Sequence, residues 1–250
     1  MQNFLAVAAM GLLLPAVAQA QWKTPWSYAG ADGPERWGDL DPGYAVCKSG
    51  KEQSPIDIRR TQKANLPPIG FEYKSGPLKV INNGYTAMRV NYTPGNGNFL
   101  VVGGKRYELR QFHFHRPSEE YVNGKPYDMA VHFMHEDSEG KIAGVTVFLE
   151  AGSANAAIER LWQHMPKSPG QEQVVAGVEV NPGDLLPSDT AYYTYMGSLT
   201  APPCTEGVTW FLLKAPLKIS GEEIGTFAKL YPHDVRPPQP LNGRVVKESH

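Results

Sequence analysis

Three histidines in two segments have the residue type and spacing of a metal site. The segment RQFHFH ends with His113 and His115, and the segment MAVHFMH contains His132. Residues two apart on a β-strand point to the same side, with Cβ atoms about 6–7 Å apart, so the first two imidazoles could converge on one ion. Taken alone, these two are equally compatible with ordinary hydrogen-bonded strand residues.

A predicted hairpin brings the third histidine to the same face. Asn123-Gly124 is a strong two-residue turn signal, and pairing the chain about it places residue 132 opposite residue 115. Directly opposed residues of antiparallel strands share a face. His135, three residues beyond His132, falls on the other face and is expected to be a structural or surface residue.

Three imidazoles without a fourth protein ligand are typical of a catalytic zinc site, in which the open position holds water. A structural zinc site has four protein ligands and usually contains thiolates. Copper also binds three imidazoles, so the ligand type alone leaves the metal open.

Strand patterns dominate the sequence around these histidines, and helical patterns are few. An apolar face recurs with helical spacing only in SANAAIERLWQHM and in SGEEIGTFAKLY, where Ser220 and Glu223 form a capping-box signature. The pattern predicts a mainly β fold. The predicted strand regions are 78–92, 98–115, 128–136, 141–152 and 207–219.

The first twenty residues have the features of an export signal. They carry no charged side chain, contain an apolar run broken by Pro15, and end in Ala-Gln-Ala. The run is shorter than the ~20 apolar residues that a membrane span needs. We therefore predict a signal peptide over 1–20, cleaved after Ala20, and a domain over 21–250 in the periplasm or outside the cell.

Charge and cysteine content narrow the function classes. The chain has 24 basic and 25 acidic residues. This near balance gives no argument for binding nucleic acid or an anionic membrane, because both need a basic surface. Its two cysteines, Cys47 and Cys204, are predicted to form a disulfide, as is usual in an exported protein. Metal ligation is the weaker alternative, since neither has a second Cys or a His at chelating spacing.

Several motifs occur in a fixed order over residues 26–246. They are QSPIDI (53–58), NNG (82–84), QFHFH (111–115), SEE (118–120), VHFMH (131–135), YTYMGSLTAPPC (193–204), VTW (208–210) and RPPQPLNGR (236–244). In these motifs the chain resembles the α-class carbonic anhydrases of the bacterial, exported type.

The resemblance implies a large, twisted, mostly antiparallel central sheet with a few short peripheral helices. It also implies a zinc enzyme that hydrates carbon dioxide reversibly to bicarbonate and a proton, by means of a zinc-bound hydroxide. The implied Zn²⁺ ligands are His113, His115 and His132.

The resemblance also assigns roles around the metal. Thr200 would accept a hydrogen bond from the hydroxide and donate to Glu119, and Gln111 would hold the first histidine. A wall of the substrate site is expected from Leu199, Thr200, Ala201, Met134, Gly144, Val208 and Trp210.

Four positions depart from the family pattern. Ala130 replaces a glutamate that usually holds the third histidine, so we expect a backbone group or water to hold His132 instead. Tyr85 replaces the histidine that carries protons in the most active members, and a phenol of pKa ~10 is a poor carrier near neutral pH. At the substrate wall, Met134 is expected to lean into space left by Gly144.

Two other functions remain open at this point. One is a catalytically silent binding protein on the same fold, although all three histidines are present. The other is a zinc protein with esterase side activity, although no Ser-His-Asp pattern is seen. Expected partners are carbon dioxide and bicarbonate, with sulfonamides and small anions as inhibitors. Either a monomer or a homodimer fits the sequence.

Overall fold

A twelve-stranded sheet is the main element of the computed structural model, which describes residues 24–85 and 88–250. The predicted signal peptide lies outside the described residues. The strands are β1 Asp57–Ile58, β2 Gln62–Lys63, β3 Ile69–Glu72, β4 Gly76–Ile81, β5 Arg89–Asn91, β6 Phe99–Val102, β7 Lys105–His115, β8 Tyr121–Val122, β9 Lys125–Pro126, β10 Met129–Glu136, β11 Ile142–Ala151, β12 Gln173–Val180, β13 Tyr192–Ser198, β14 Glu206–Ile219 and β15 Lys247–Glu248.

The helices of the described residues are short and lie outside the sheet. They are α1 Trp37–Leu40, α2 Val46–Ser49, α3 Ala156–Gln163 and α4 Gly221–Ala228, with 3-10 turns at Gly30–Asp32, Pro42–Tyr44 and Pro182–Leu185. The predicted capping box is present at the start of α4, where Ser220 and Glu223 bond each other's backbone N–H. None of these helices has the length and apolar character needed to cross a membrane.

The large sheet is mostly antiparallel, as predicted. Ten strands follow one another in the order β12-β4-β5-β7-β10-β11-β14-β13-β15-β2, and β6 joins β3 to β7. Within this sheet the parallel pairs are β11 with β14 and β15 with β2. A separate three-stranded sheet has the order β1-β8-β9. Strand β11 lies between two long partners, which explains its nearly continuous apolar sequence.

The main hydrophobic core covers one face of the central strands. Because successive strand residues alternate between faces, β10 sends Met129, Val131 and Phe133 into this core and His132 to the other side. Strand β7 behaves in the same way near its end, where Phe112 lies in the core. The apolar half of each strand therefore anchors the sheet, and the opposite face is left for polar side chains.

A bulge in β7 places the first two histidines on that opposite face. Opposite β10, residue Met134 pairs with Gln111 and His135 pairs with Leu109, so Arg110 is the extra residue. Leu109 lies in the main core, whereas Gln111 faces the opposite side together with the later odd-numbered residues. Without the extra residue, the alternation that places Leu109 in the core would direct the histidines there as well.

A disulfide joins an N-terminal arm, residues 24–54, to the loop between β13 and β14. Cys47 and Cys204 are linked, with an S–S distance of 2.04 Å. Around this bond, Trp26, Trp37 and Tyr44 form a small buried cluster of their own. The arm is thereby held against the loop that follows β13.

Candidate metal centre and active site

Two neighbouring strands bring the three predicted histidines together. His113 and His115 lie at the end of β7, and His132 lies opposite His113 in β10. Ring centroids are 4.8 Å apart for His113 and His115, 5.4 Å for His113 and His132, and 4.7 Å for His115 and His132. One nitrogen of each ring lies within 4.8 Å of the others, and all three residues are buried. The rings are placed to share one ion.

The predicted pairing of His132 with His115 is wrong by two residues. The predicted turn does join two strands, but these are β8 and β9 in the small sheet. Since the loop after β7 leaves the large sheet, the register of that hairpin does not continue into β10, where Ala130 lies opposite His115. The error is an even number of residues, so the predicted common face is unaffected.

Hydrogen bonds to the outer nitrogens set the orientation of the first two rings. His113 Nδ1 lies 2.8 Å from Gln111 Oε1, which is the predicted partner. His115 Nδ1 lies 2.8 Å from the backbone oxygen of Asp234. In each ring the hydrogen bond to an oxygen acceptor requires the proton on Nδ1. The lone pair of Nε2 in the neutral imidazole is then free to bind a metal.

A carboxylate holds the third ring, where we expected a backbone group or water. His132 Nε2 lies 3.1 Å from Glu120 Oε2, and both residues are fully buried. Thr146 Oγ1 donates to the other oxygen of Glu120 at 3.2 Å. Glu120 comes from the loop after β7, so it reaches the ring without a contribution from position 130. The adjacent glutamates of SEE were a signal for this role, but we assigned a function only to Glu119.

Two buried ring nitrogens at the centre are suited to bind a cation. His115 Nε2 and His132 Nδ1 are buried and have no hydrogen-bond partner. An unsatisfied buried polar atom costs about 1–3 kcal/mol, so two of them side by side need an explanation. A metal ion between the rings would satisfy both, and three imidazoles are a suitable donor set for zinc. The residues present therefore fit the implied metal.

The environment keeps two of the rings neutral and makes the third more basic. Burial, followed by the neighbouring imidazoles, holds the pKa of His113 and of His115 well below the usual value. Burial also acts to lower the pKa of His132, but the charge and hydrogen bond of Glu120 outweigh it, so that this pKa is raised. A carboxylate partner that raises basicity strengthens an imidazole as a metal ligand.

The predicted pair of Thr200 and Glu119 lies beside the histidines. Burial raises the pKa of Glu119 to about 7, against the lowering effects of His132, the Arg236 backbone N–H and the Thr200 hydroxyl. Glu119 Oε1 accepts from the Arg236 N–H at 2.9 Å. Its other oxygen lies 3.4 Å from His115 Nε2, without a hydrogen bond. This second oxygen faces the metal centre.

A cleft with a volume of about 190 Å³ opens onto the metal centre. Five of the seven residues predicted to contact the substrate line it, and Gly144 and Val208 do not. Val208 is buried behind the wall in the same cluster as Trp210. The predicted residues that line the cleft are Met134, Leu199, Thr200, Ala201 and Trp210, and the polar side includes Asn83, Arg89 and Gln111.

The space above Gly144 is occupied by Trp210, which corrects the expectation for Met134. A Cβ atom on Gly144 would lie 2.6 Å from Trp210 Cζ3, and its three nearest atoms all belong to that ring. Met134 is paired with Gly144 across β10 and β11, and its side chain lines the cleft. The glycine therefore allows the indole, and not the thioether, to approach the sheet.

Tyr85 lies in the cleft at the position predicted for proton transfer. Its ring stacks on Trp26, with centroids 4.6 Å apart and planes at 25°. Its backbone N–H donates to Asn83 Oδ1 at 3.0 Å. Among the described residues that line the cleft, the histidines are His113 and His132, both of which belong to the metal centre.

A large sheet that presents three convergent imidazoles in a cleft defines a β protein with a candidate metal site. The family model for eukaryotic-type carbonic anhydrase matches residues 32–250. The chain therefore belongs to the α-carbonic anhydrase family, whose general reaction is the reversible hydration of carbon dioxide.

Individual relatives agree with this assignment. The chain is 41% identical to a carbonic anhydrase of Klebsiella pneumoniae over 250 residues, which cover 99% of this chain and 100% of that protein. It is 42% identical to a carbonic anhydrase of Neisseria gonorrhoeae over 226 residues, covering 90% and 88%. Among solved structures, the α-carbonic anhydrase of Thermovibrio ammonificans in complex with sulfanilamide matches with a TM-score of 0.85 and 45% identity, covering 90% of this chain and 99% of that chain.

Proposed function

We propose that the chain hydrates carbon dioxide reversibly with Zn²⁺ held by His113 Nε2, His115 Nε2 and His132 Nδ1. The observation that carries the proposal is the set of three inward nitrogens, two of them buried without a partner. Zinc in such a site, as established for carbonic anhydrases themselves, supplies Lewis acidity and makes water a nucleophile near neutral pH.

The direct test is to remove one ligand and measure both metal content and hydration. We expect His113→Ala to lose stoichiometric zinc and to lose carbon dioxide hydration by at least about 100-fold, since two imidazoles hold zinc poorly. His250→Ala removes an exposed histidine and serves as the matched control. Full zinc content and full hydration in His113→Ala would disprove this ligand set.

Thr200 and Glu119 would orient the attacking oxygen. A threonine hydroxyl has one hydrogen, and if Glu119 accepts it, Thr200 can only accept a hydrogen bond from the nucleophile. That arrangement directs the lone pair of the nucleophile toward the substrate carbon. Carbon dioxide itself has no charge. The apolar side chains of Met134, Leu199 and Trp210 line the cleft, and water binds such a surface weakly.

Proton export is expected to limit turnover, because Tyr85 occupies the position of a proton carrier. We expect Tyr85→His to raise turnover at low buffer concentration by about tenfold, since an imidazole with a pKa of about 6.5 exchanges protons readily near pH 7. Stopped-flow hydration at rising imidazole concentration measures this, with Tyr85→Phe as the control. An unchanged turnover in Tyr85→His at low buffer would contradict the expected role of this position.

We also propose that the protein is exported and that it is inhibited by sulfonamides. A disulfide suits an oxidising compartment, and the open cleft suits an inhibitor that reaches the metal. We expect the mass of the mature chain from a periplasmic or culture fraction to match a chain that begins at Gln21. A mass that includes residues 1–20 would contradict the predicted cleavage after Ala20.

A further inference from the structure

One arginine of the cleft lies next to the metal centre. Arg89 is the first residue of β5, and it pairs directly with His113 in β7. Directly opposed residues of antiparallel strands share a face, so the Arg89 side chain extends on the side of the sheet that carries the histidines. It is one of the residues that line the cleft.

One donor of the Arg89 guanidinium is unused. Its Nε atom is buried without a hydrogen-bond partner, and Arg89 takes no part in the ion pairs of the described residues. Glu172 is the carboxylate whose charge reaches it, but Glu172 is exposed and accepts a hydrogen bond from Asn91 Nδ2 at 2.5 Å. Burial lowers the pKa of Arg89, yet a guanidinium stays charged in proteins.

The rest of the cleft does not neutralise this charge. Among the described residues that line it, none is aspartate or glutamate, and Arg89 is the only lysine or arginine. A planar guanidinium matches two oxygens of a carboxylate or phosphate, and such charge-assisted hydrogen bonds are the stronger ones. The cleft therefore combines a neutral lining with one cation that is placed to hold an oxyanion.

We propose that Arg89 forms an oxyanion subsite in the cleft that binds hydrogen phosphate as an external proton acceptor. The binding itself does not depend on catalysis, whereas the proton-transfer role rests on the proposed function. In that role, hydrogen phosphate dianion accepts the proton released by hydration and leaves as dihydrogen phosphate, so no other reactant is needed. The subsite would compensate for the phenol at Tyr85, and it would favour anionic acceptors over imidazole.

The binding test uses inorganic phosphate and calorimetric titration of the mature chain, both zinc-loaded and after chelation. Arg89→Gln removes the charge, and Arg89→Lys retains it. Arg106→Gln is the matched control, because Arg106 forms an exposed ion pair with Glu72. We expect Arg89→Gln to weaken phosphate binding about tenfold in both forms of the protein, which corresponds to the loss of one charge-assisted contact. Arg106→Gln should change it by less than about threefold. Arg89→Lys should weaken it less than Arg89→Gln does, because lysine retains the charge but not the planar pair of donors.

The kinetic test is stopped-flow hydration with rising phosphate or rising imidazole. We expect Arg89→Gln to raise the half-saturating phosphate concentration about tenfold and to leave that for imidazole within about twofold. The subsite is disproved by equal phosphate binding in Arg89→Gln and the parent chain, or by phosphate binding that disappears on chelation. Equal effects on phosphate and imidazole disprove the proton-acceptor role. If the zinc-loaded chain fails to hydrate carbon dioxide, calorimetry still decides the binding proposal.

Discussion

Glu120→Ala is expected to weaken zinc binding by about 10–100-fold, the range established for such ligand partners in zinc enzymes, carbonic anhydrases among them. The Glu120 carboxylate holds His132 Nε2 at 3.1 Å and makes that ring more basic. Without it, the ring loses both its orientation and part of its affinity for a cation. Competition between the protein and a chromophoric zinc chelator measures the change directly, without an activity assay.

A second substitution tests whether a carboxylate is what holds His132, independently of the loop that carries Glu120. Ala130 is fully buried and lies two residues before His132 on the same strand, so both point to one face. Ala130→Glu added to Glu120→Ala should restore at least about tenfold of the lost zinc affinity. Glu139→Ala, in an exposed turn, is the control. Unchanged zinc affinity in Glu120→Ala would contradict the assignment.

Thr200→Val is expected to lower kcat/KM for carbon dioxide hydration by about 100-fold, a typical loss for a group that orients or stabilises the reacting oxygen. Valine is close to threonine in shape but cannot accept or donate a hydrogen bond. Thr200→Ser keeps the hydroxyl and should retain most of the rate. Stopped-flow hydration provides the measurement, and zinc content checks that the metal site is intact.

Zinc affinity distinguishes a lost orientation of the nucleophile from damage to the metal site. Thr200 is buried beside Glu119, whose carboxyl it influences, but it is not a predicted ligand of the metal. Zinc affinity should therefore change by less than about threefold in Thr200→Val. If Thr200→Val hydrates carbon dioxide within twofold of the parent chain, the proposed orientation of the nucleophile is wrong.

The common face of the three histidines could be predicted because strand periodicity is two. The predicted register of His132 was wrong by two residues, and an even error leaves the face unchanged. The face of His135 could be predicted for the same reason. It is buried on the core side of the sheet, where its Nε2 lies 2.7 Å from Tyr73 Oη.

Residues outside regular strands could not be predicted in the same way. Glu120 lies in an irregular loop between β7 and β8, where no periodicity indicates the direction of a side chain. The occupancy of the space above Gly144 depends on Trp210, which comes from β14, far along the chain. The bulge at Arg110 has no glycine or proline to mark it, although it decides which face His113 occupies.

The central claim is that the three imidazoles hold one catalytic zinc ion. The most direct test is to strip the mature chain with a chelator, return zinc stepwise, and measure carbon dioxide hydration by stopped flow at each addition. We predict that activity is absent after chelation, rises in proportion to zinc and levels off at one ion per chain. Hydration that survives chelation, or that does not return with one equivalent of zinc, would contradict the account.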